Sequence, residues 1–286
     1  MVKIAKRTEE SFIIQVLAEL RYGLLSGWYR FILPFVFGLI YADSFIRYIR
    51  TYVSISNIDL QVSFMDCIIY VFKGMKEITP SNPFELPVQY SFIILMLALF
   101  IGSYPLKNLH DFGKNILIRS RRKSDWWFSK CIWNISMVMA FFVSIYAGAG
   151  FRCVLTGSMF CGIGDVSADA IGIILGCNKD NIYDTELMTI MAIILPILTG
   201  IALSLFEMMM AFLTSPVISY ISIITIAIFS AYYTKWFMPG NFLMSYRYVQ
   251  ACNNGITLMT SVVVDVVIIV ASIVIGKIYF NRCDVL

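Results

Sequence analysis

Charge is scarce in this sequence. Asp, Glu, Lys and Arg make up 14% of 286 residues, against about 25% in an ordinary soluble domain. Intrinsic disorder is excluded, because it needs low hydrophobicity and high charge. A soluble globule is excluded by the converse: 59% apolar residues and a mean hydropathy of +0.79 leave more greasy surface than one core buries. The net charge of +4 is too small to argue for nucleic acid. Histidine occurs once, at His110, in a polar loop where it reads as a solvated side chain. The seven cysteines form no CxxC pair, so the spacings of structural zinc sites are missing. Walker A, HExxH and GxSxG patterns are missing too, and Glu9-Glu10 has no downstream histidines to join in a protease site. The expectation is a chain with no catalytic residue, cofactor or metal site of its own.

Long apolar runs are what the chain does have. At about 20 residues per crossing, they predict an all-α, polytopic integral membrane protein with six transmembrane helices. The spans are expected at about 28–49, 88–106, 131–151, 187–213, 217–237 and 256–279. Residues 1–286 read as a single transmembrane domain, with no internal repeat and no linker. Before the first span, Ile13, Val16, Leu17, Leu20 and Leu24 recur at helical spacing over 9–25. They predict an amphipathic helix lying in the membrane interface, or else packed on other spans. Phe64 to Phe72 is apolar but too short to cross, and reads as re-entrant or interfacial.

Basic residues set the orientation. With the N-terminus inside, fourteen Lys and Arg fall in inner segments and eight in outer ones. Both termini are therefore expected in the cytoplasm. Cys153, Cys161, Cys177 and Cys252 then map outside, where a disulfide is allowed but no pairing is selected.

Three ionisable residues fall inside spans, where charge is costly and calls for an explanation: Asp43, Glu207 and Asp265. Arg47 sits one turn after Asp43, placed to pair with it or snorkel. Glu207 reads first as a structural pair, with Lys277 on the sixth span as its partner, and second as a pathway or switch residue. Met208, Met209 and Met210, with Phe206 and Phe212, offer a soft surface for greasy cargo or ordinary packing.

The most informative stretch is 105–130, PLKNLHDFGKNILIRSRRKSDWWFSK. Leu109, Phe112 and Ile116 form an apolar stripe on a short helix, 107–118. Arg119, Arg121, Arg122 and Lys123 follow as a positive patch, and Trp126 and Trp127 as an interfacial aromatic belt.

This order of features resembles the permease subunits of type-2 ABC exporters, as do the string from Arg119 to Lys130 and the Pro239-Gly240-Asn241 loop with Met244 and Arg247. The resemblance implies an interfacial N-terminal helix, six spans and a cytoplasmic coupling helix within the 107–130 loop. It implies a bacterial plasma-membrane permease that moves an amphiphilic substrate: a peptide, a lipid-like molecule or a drug. The implied partners are cytoplasmic ABC ATPases carrying ATP and Mg, a second permease subunit, identical or paralogous, and membrane lipids. Coupling to the ATPase would fall to Leu109, Phe112, Ile116, Arg119, Arg121, Arg122 and Lys123. The alternatives are a polytopic membrane enzyme acting on lipids, and a non-transporting scaffold or immunity protein.

Overall fold

The computed structural model describes residues 12–56, 62–78, 83–102, 123–157, 185–251 and 255–282. Residues 12–20 are helical and continue through a π-helical stretch, Arg21–Ser26, and a 3-10 turn, Trp28–Phe31, into α1 (Ile32–Ser56). The other helices are α2 (Phe64–Val71), α3 (Val88–Leu97, extended by a π-helical turn, Ala98–Gly102), α4 (Lys123–Thr156), α5 (Thr185–Leu213), α6 (Pro216–Tyr232) and α7 (Leu258–Arg282). Among the described residues there is no β-strand, only an isolated bridge between Tyr248 and Ile256.

Four helices, those containing α1, α4, α5 and α7, are long and apolar enough to cross a membrane. Where the second and fifth spans are expected, the described residues hold shorter apolar helices, Val88–Phe100 and Pro216–Tyr232, and residues 103–106 of the expected second span lie outside the described residues. At 1.5 Å per residue, α6 is about 26 Å long, just under a hydrocarbon core of about 30 Å. Local chemistry sets several ends. Ser215 accepts from the Ile218 amide and Pro216 occupies the first helical position, so α6 starts at once after the Thr214 turn. Ser63 and Asp66 close a reciprocal capping box on α2.

Contacts give the direction of each helix. The Gln15 amide donates to Ser129 (3.0 Å), Glu19 pairs with Lys130 (2.5 Å), Gly38 lies against the Ile145 backbone, and Asp43 meets Arg152 (2.6 Å). Partner numbers rise together, so residues 12–56 run parallel to α4. Asn134 reaches the Ser204 carbonyl and Tyr146 the Ile193 carbonyl, so α4 and α5 are antiparallel. Thr199 meets Asp265, and Phe212 meets Phe280, so α5 and α7 are parallel. Phe84 stacks on Tyr232 and Tyr90 donates to the Ala227 carbonyl, so α3 and α6 are antiparallel.

The main core fills the bundle from Phe37 and Phe45 through Phe72, Phe142 and Tyr248. A smaller cluster at the opposite end joins Trp126, Trp127, Cys131, Leu205, Met208 and Phe280.

Candidate functional site

At the Trp126 end, the first two turns of α4 correct the sequence reading. Residues 123–130 are helical rather than part of a loop, and Trp126 and Trp127 are buried rather than laid in an interface. Trp126 stacks on Phe280 at 4.9 Å, Phe212 meets both indoles edge-on, and the Trp127 indole donates to the Ile273 carbonyl at 3.0 Å. The physical reason is that α4, α5 and α7 converge here. An indole fully covered by three helices buries more area than one left in lipid headgroups.

Lys130, counted among the loop cations by sequence, is fully buried. It pairs with Glu19 and lies 5.3 Å from the Trp126 ring. The 12–20 helix therefore turns its polar residues Gln15 and Glu19 onto α4, while Ile13, Ile14 and Leu17 stay exposed. An outward apolar stripe beside a membrane bundle suits the bilayer interface.

Glu207 is buried at 3% exposure on α5, as expected, but the ion pair with Lys277 is not formed. Lys277 instead holds its ammonium 5.1 Å from the Phe128 ring. Among the described residues no cation lies within salt-bridge distance of Glu207. Deeper in the bundle Asp265 is fully buried. One carboxylate oxygen accepts from the Thr199 hydroxyl at 2.8 Å, and the other has no partner among the described residues.

At the far end Asp43 does pair with Arg47 one turn on, and it also holds Arg152 of α4. The same end carries Arg247, which the sequence offers as an outer loop cation and as part of the Pro239-Gly240-Asn241 loop resemblance, with no buried role. It is fully buried, and its guanidinium donates to the carbonyls of Met75 (2.9 Å), Ala231 (2.9 Å) and Lys76 (3.4 Å) and to the Thr234 hydroxyl. One side chain thus fastens three segments: the chain after α2, the end of α6, and the 239–251 loop. An arginine alone in PGNFLMSYRYV is the one sequence signal that could have marked it. Beside it α2 is buried. Burial raises the Asp66 carboxyl to about 6 against the lowering effect of the Ser63 amide and hydroxyl. Cys67 and Cys153 face each other there with sulfurs 3.5 Å apart, a proximity that spacing did not single out. Cys161, Cys177 and Cys252 lie outside the described residues.

So the three intramembrane acids are placed, at two ends and the middle of the bundle. The coupling residues Leu109, Phe112, Ile116, Arg119, Arg121 and Arg122, like His110, lie outside the described residues. Of Lys123 only the backbone, the first residue of α4, is described. Among the described residues no group of His, Cys, Asp and Glu is arranged to hold a metal ion.

No curated protein and no solved structure matches the chain. A family described as a protein of unknown function, DUF2705, matches residues 31–286. That match takes in α1 to α7 and every buried ionisable group above except Glu19, and the chain belongs to the DUF2705 family.

Proposed function

We propose that this chain is the membrane-spanning permease subunit of an ATP-driven type-2 ABC exporter for an amphiphilic substrate. The observation that carries the reading is the pair of parallel long helices, α1 with α4 and α5 with α7. A chain cannot traverse a membrane twice in the same direction without returning in between. The return between α1 and α4 falls to α3, and the return between α5 and α7 falls to α6. On this reading the chain makes six crossings. Short α6 matches a locally thinned bilayer, or is completed by the chain after Tyr232.

Six crossings put the loop between α3 and α4 at the Trp126 end, together with both chain ends. That loop carries the densest run of basic residues, so the Trp126 end faces the cytoplasm. The 107–118 segment then presents Leu109, Phe112 and Ile116 to a groove on a cytoplasmic ABC ATPase, with Arg119, Arg121, Arg122 and Lys123 beside it for an acidic rim or lipid headgroups. ATP and Mg stay in the partner. A second permease subunit completes the pathway. Residues 12–56 and α4, tied by the Glu19–Lys130 and Asp43–Arg152 ion pairs, are the rigid body that a push on the loop would tilt.

The test is co-purification of the detergent-solubilised permease from its native membranes, with ABC ATPase read by its Walker A peptide and by ATP hydrolysis. Wild type should carry the ATPase. Phe112→Asp should reach the membrane in normal yield and lose at least nine-tenths of it. Normal ATPase recovery with Phe112→Asp would remove this segment as the coupling element, and no ATPase with wild type would remove the reading.

A further inference from the structure

A cavity of about 540 Å³ opens at the Arg247 end, between α1, the chain after α2 and the start of α3. Its volume lies within the range of small-molecule sites. Two ammoniums line it, and each is held on an aromatic face. Lys73 sits 4.4 Å from the Tyr70 ring and Lys76 sits 5.4 Å from the Tyr246 ring. Neither has a carboxylate within salt-bridge distance among the described residues. Burial pulls the Lys73 ammonium below its ordinary value, with Glu85 acting the other way from across the cavity. Lys73 is therefore partly desolvated and undercompensated, the condition in which an anionic group gains most, and the exposed Lys76 adds a second positive charge at the cavity rim.

The rest of the lining adds hydrogen-bond acceptors. Gln89 is more than nine-tenths buried, and its side-chain oxygen has no partner among the described residues. Glu85 offers a carboxylate on the same wall. A bare anion would leave these acceptors unmet, whereas a head that also carries hydroxyl groups would satisfy them. Beside them Leu86 and Val88 are lining residues that remain exposed, at 67% and 56%, and give the rim an apolar side for a hydrocarbon chain.

We propose that this cavity binds the head of an anionic amphiphile bearing a phosphate and free hydroxyls, a phosphoglycerol-type head. The phosphate lies between Lys73 and Lys76, the hydroxyls donate to Gln89 and Glu85, and the chain leaves over Leu86 and Val88. Placing it on the outer face, as the receiving or releasing site of transport, rests on the permease reading. Binding itself does not.

The experiment uses the purified full chain without any ATPase, titrated with phosphatidylglycerol or phosphatidylcholine and read as lipid adducts by native mass spectrometry. Wild type should retain phosphatidylglycerol at least tenfold better than phosphatidylcholine. Lys73→Gln/Lys76→Gln should lose that preference, and Lys76→Gln alone should lose part of it. Lys235→Gln, an exposed cation outside the cavity, should keep it. Adducts held by the 119–123 cluster are common to all variants, so the difference between them carries the result. Unchanged elution and melting of the double variant separate lost binding from lost folding. Competition by glycerol phosphate would support recognition of the head alone, and competition only by short-chain phosphatidylglycerol would support recognition of head and chain together. Equal retention by wild type and the double variant, or failure of both competitors, would overturn the proposal. Either failure would leave the ATPase pull-down, and the permease reading, untouched.

Discussion

At the residue scale, Glu207 is the side chain whose role the structure changed most. Sequence marks it easily, because a carboxylate in LSLFEMMMAF stands out. Its partner was not legible, since the choice depends on how α7 is rotated against α5, and local spacing carries no such information. Lys277 went to Phe128 instead. Breaking a buried ion pair costs about 3–5 kcal/mol because it strands a charge. Among the described residues Glu207 has no cation to strand, so Glu207→Gln should keep membrane yield and leave the detergent melting temperature unchanged or higher. A Glu207→Lys/Lys277→Glu swap should melt lower than wild type. The check is melting by tryptophan fluorescence. A large loss with Glu207→Gln, restored by the swap, would reinstate the pair. Asp43 shows the opposite case. Its bond to Arg47 was readable because four residues along a helix is a contact distance, while Arg152, on another helix, was not.

Among the elements, the α1–α4 pair depends on closeness of backbones. A Cβ on Gly38 would stand 2.1 Å from the Ile145 carbonyl oxygen, and one on Gly148 would stand 2.0 Å from that of Phe35. Small residues at a crossing are the usual means of tight helix association in lipid. Backbone cannot step aside as a flexible side chain can. Gly38→Leu or Gly148→Leu should therefore pry the pair apart and cost at least the ~1–3 kcal/mol typical of overpacking, read as a lower melting temperature and lower yield. Gly157→Ala, where nothing lies within reach of the new Cβ, strains only its own backbone, with φ of +67°, and should melt above either leucine variant. If Gly38→Leu and Gly148→Leu melted like wild type, the close crossing would not hold the pair. The identity and approximate extent of the four long helices were legible, as was the Ser215-Pro216 break after α5, since apolar runs and such punctuation act locally. Where Trp126 and Trp127 go was not. Interfacial aromatics and buried ones share the same neighbours in sequence, and only convergence with Phe212 and Phe280 tells them apart.

For the whole molecule, the permease reading depends on which face each end occupies. The proposed arrangement takes two return passes from the directions of the long helices and the cytoplasmic face from the basic 119–123 cluster. The most direct measurement is single-cysteine labelling in intact cells with a membrane-impermeant maleimide, on a chain with its seven native cysteines replaced. Cysteines at Asp165 and Asn253 should react from outside. Those at Arg121 and Asp284 should react only after permeabilisation. Labelling at Arg121 from outside an intact cell would contradict the six-crossing arrangement and remove the cytoplasmic coupling loop with it.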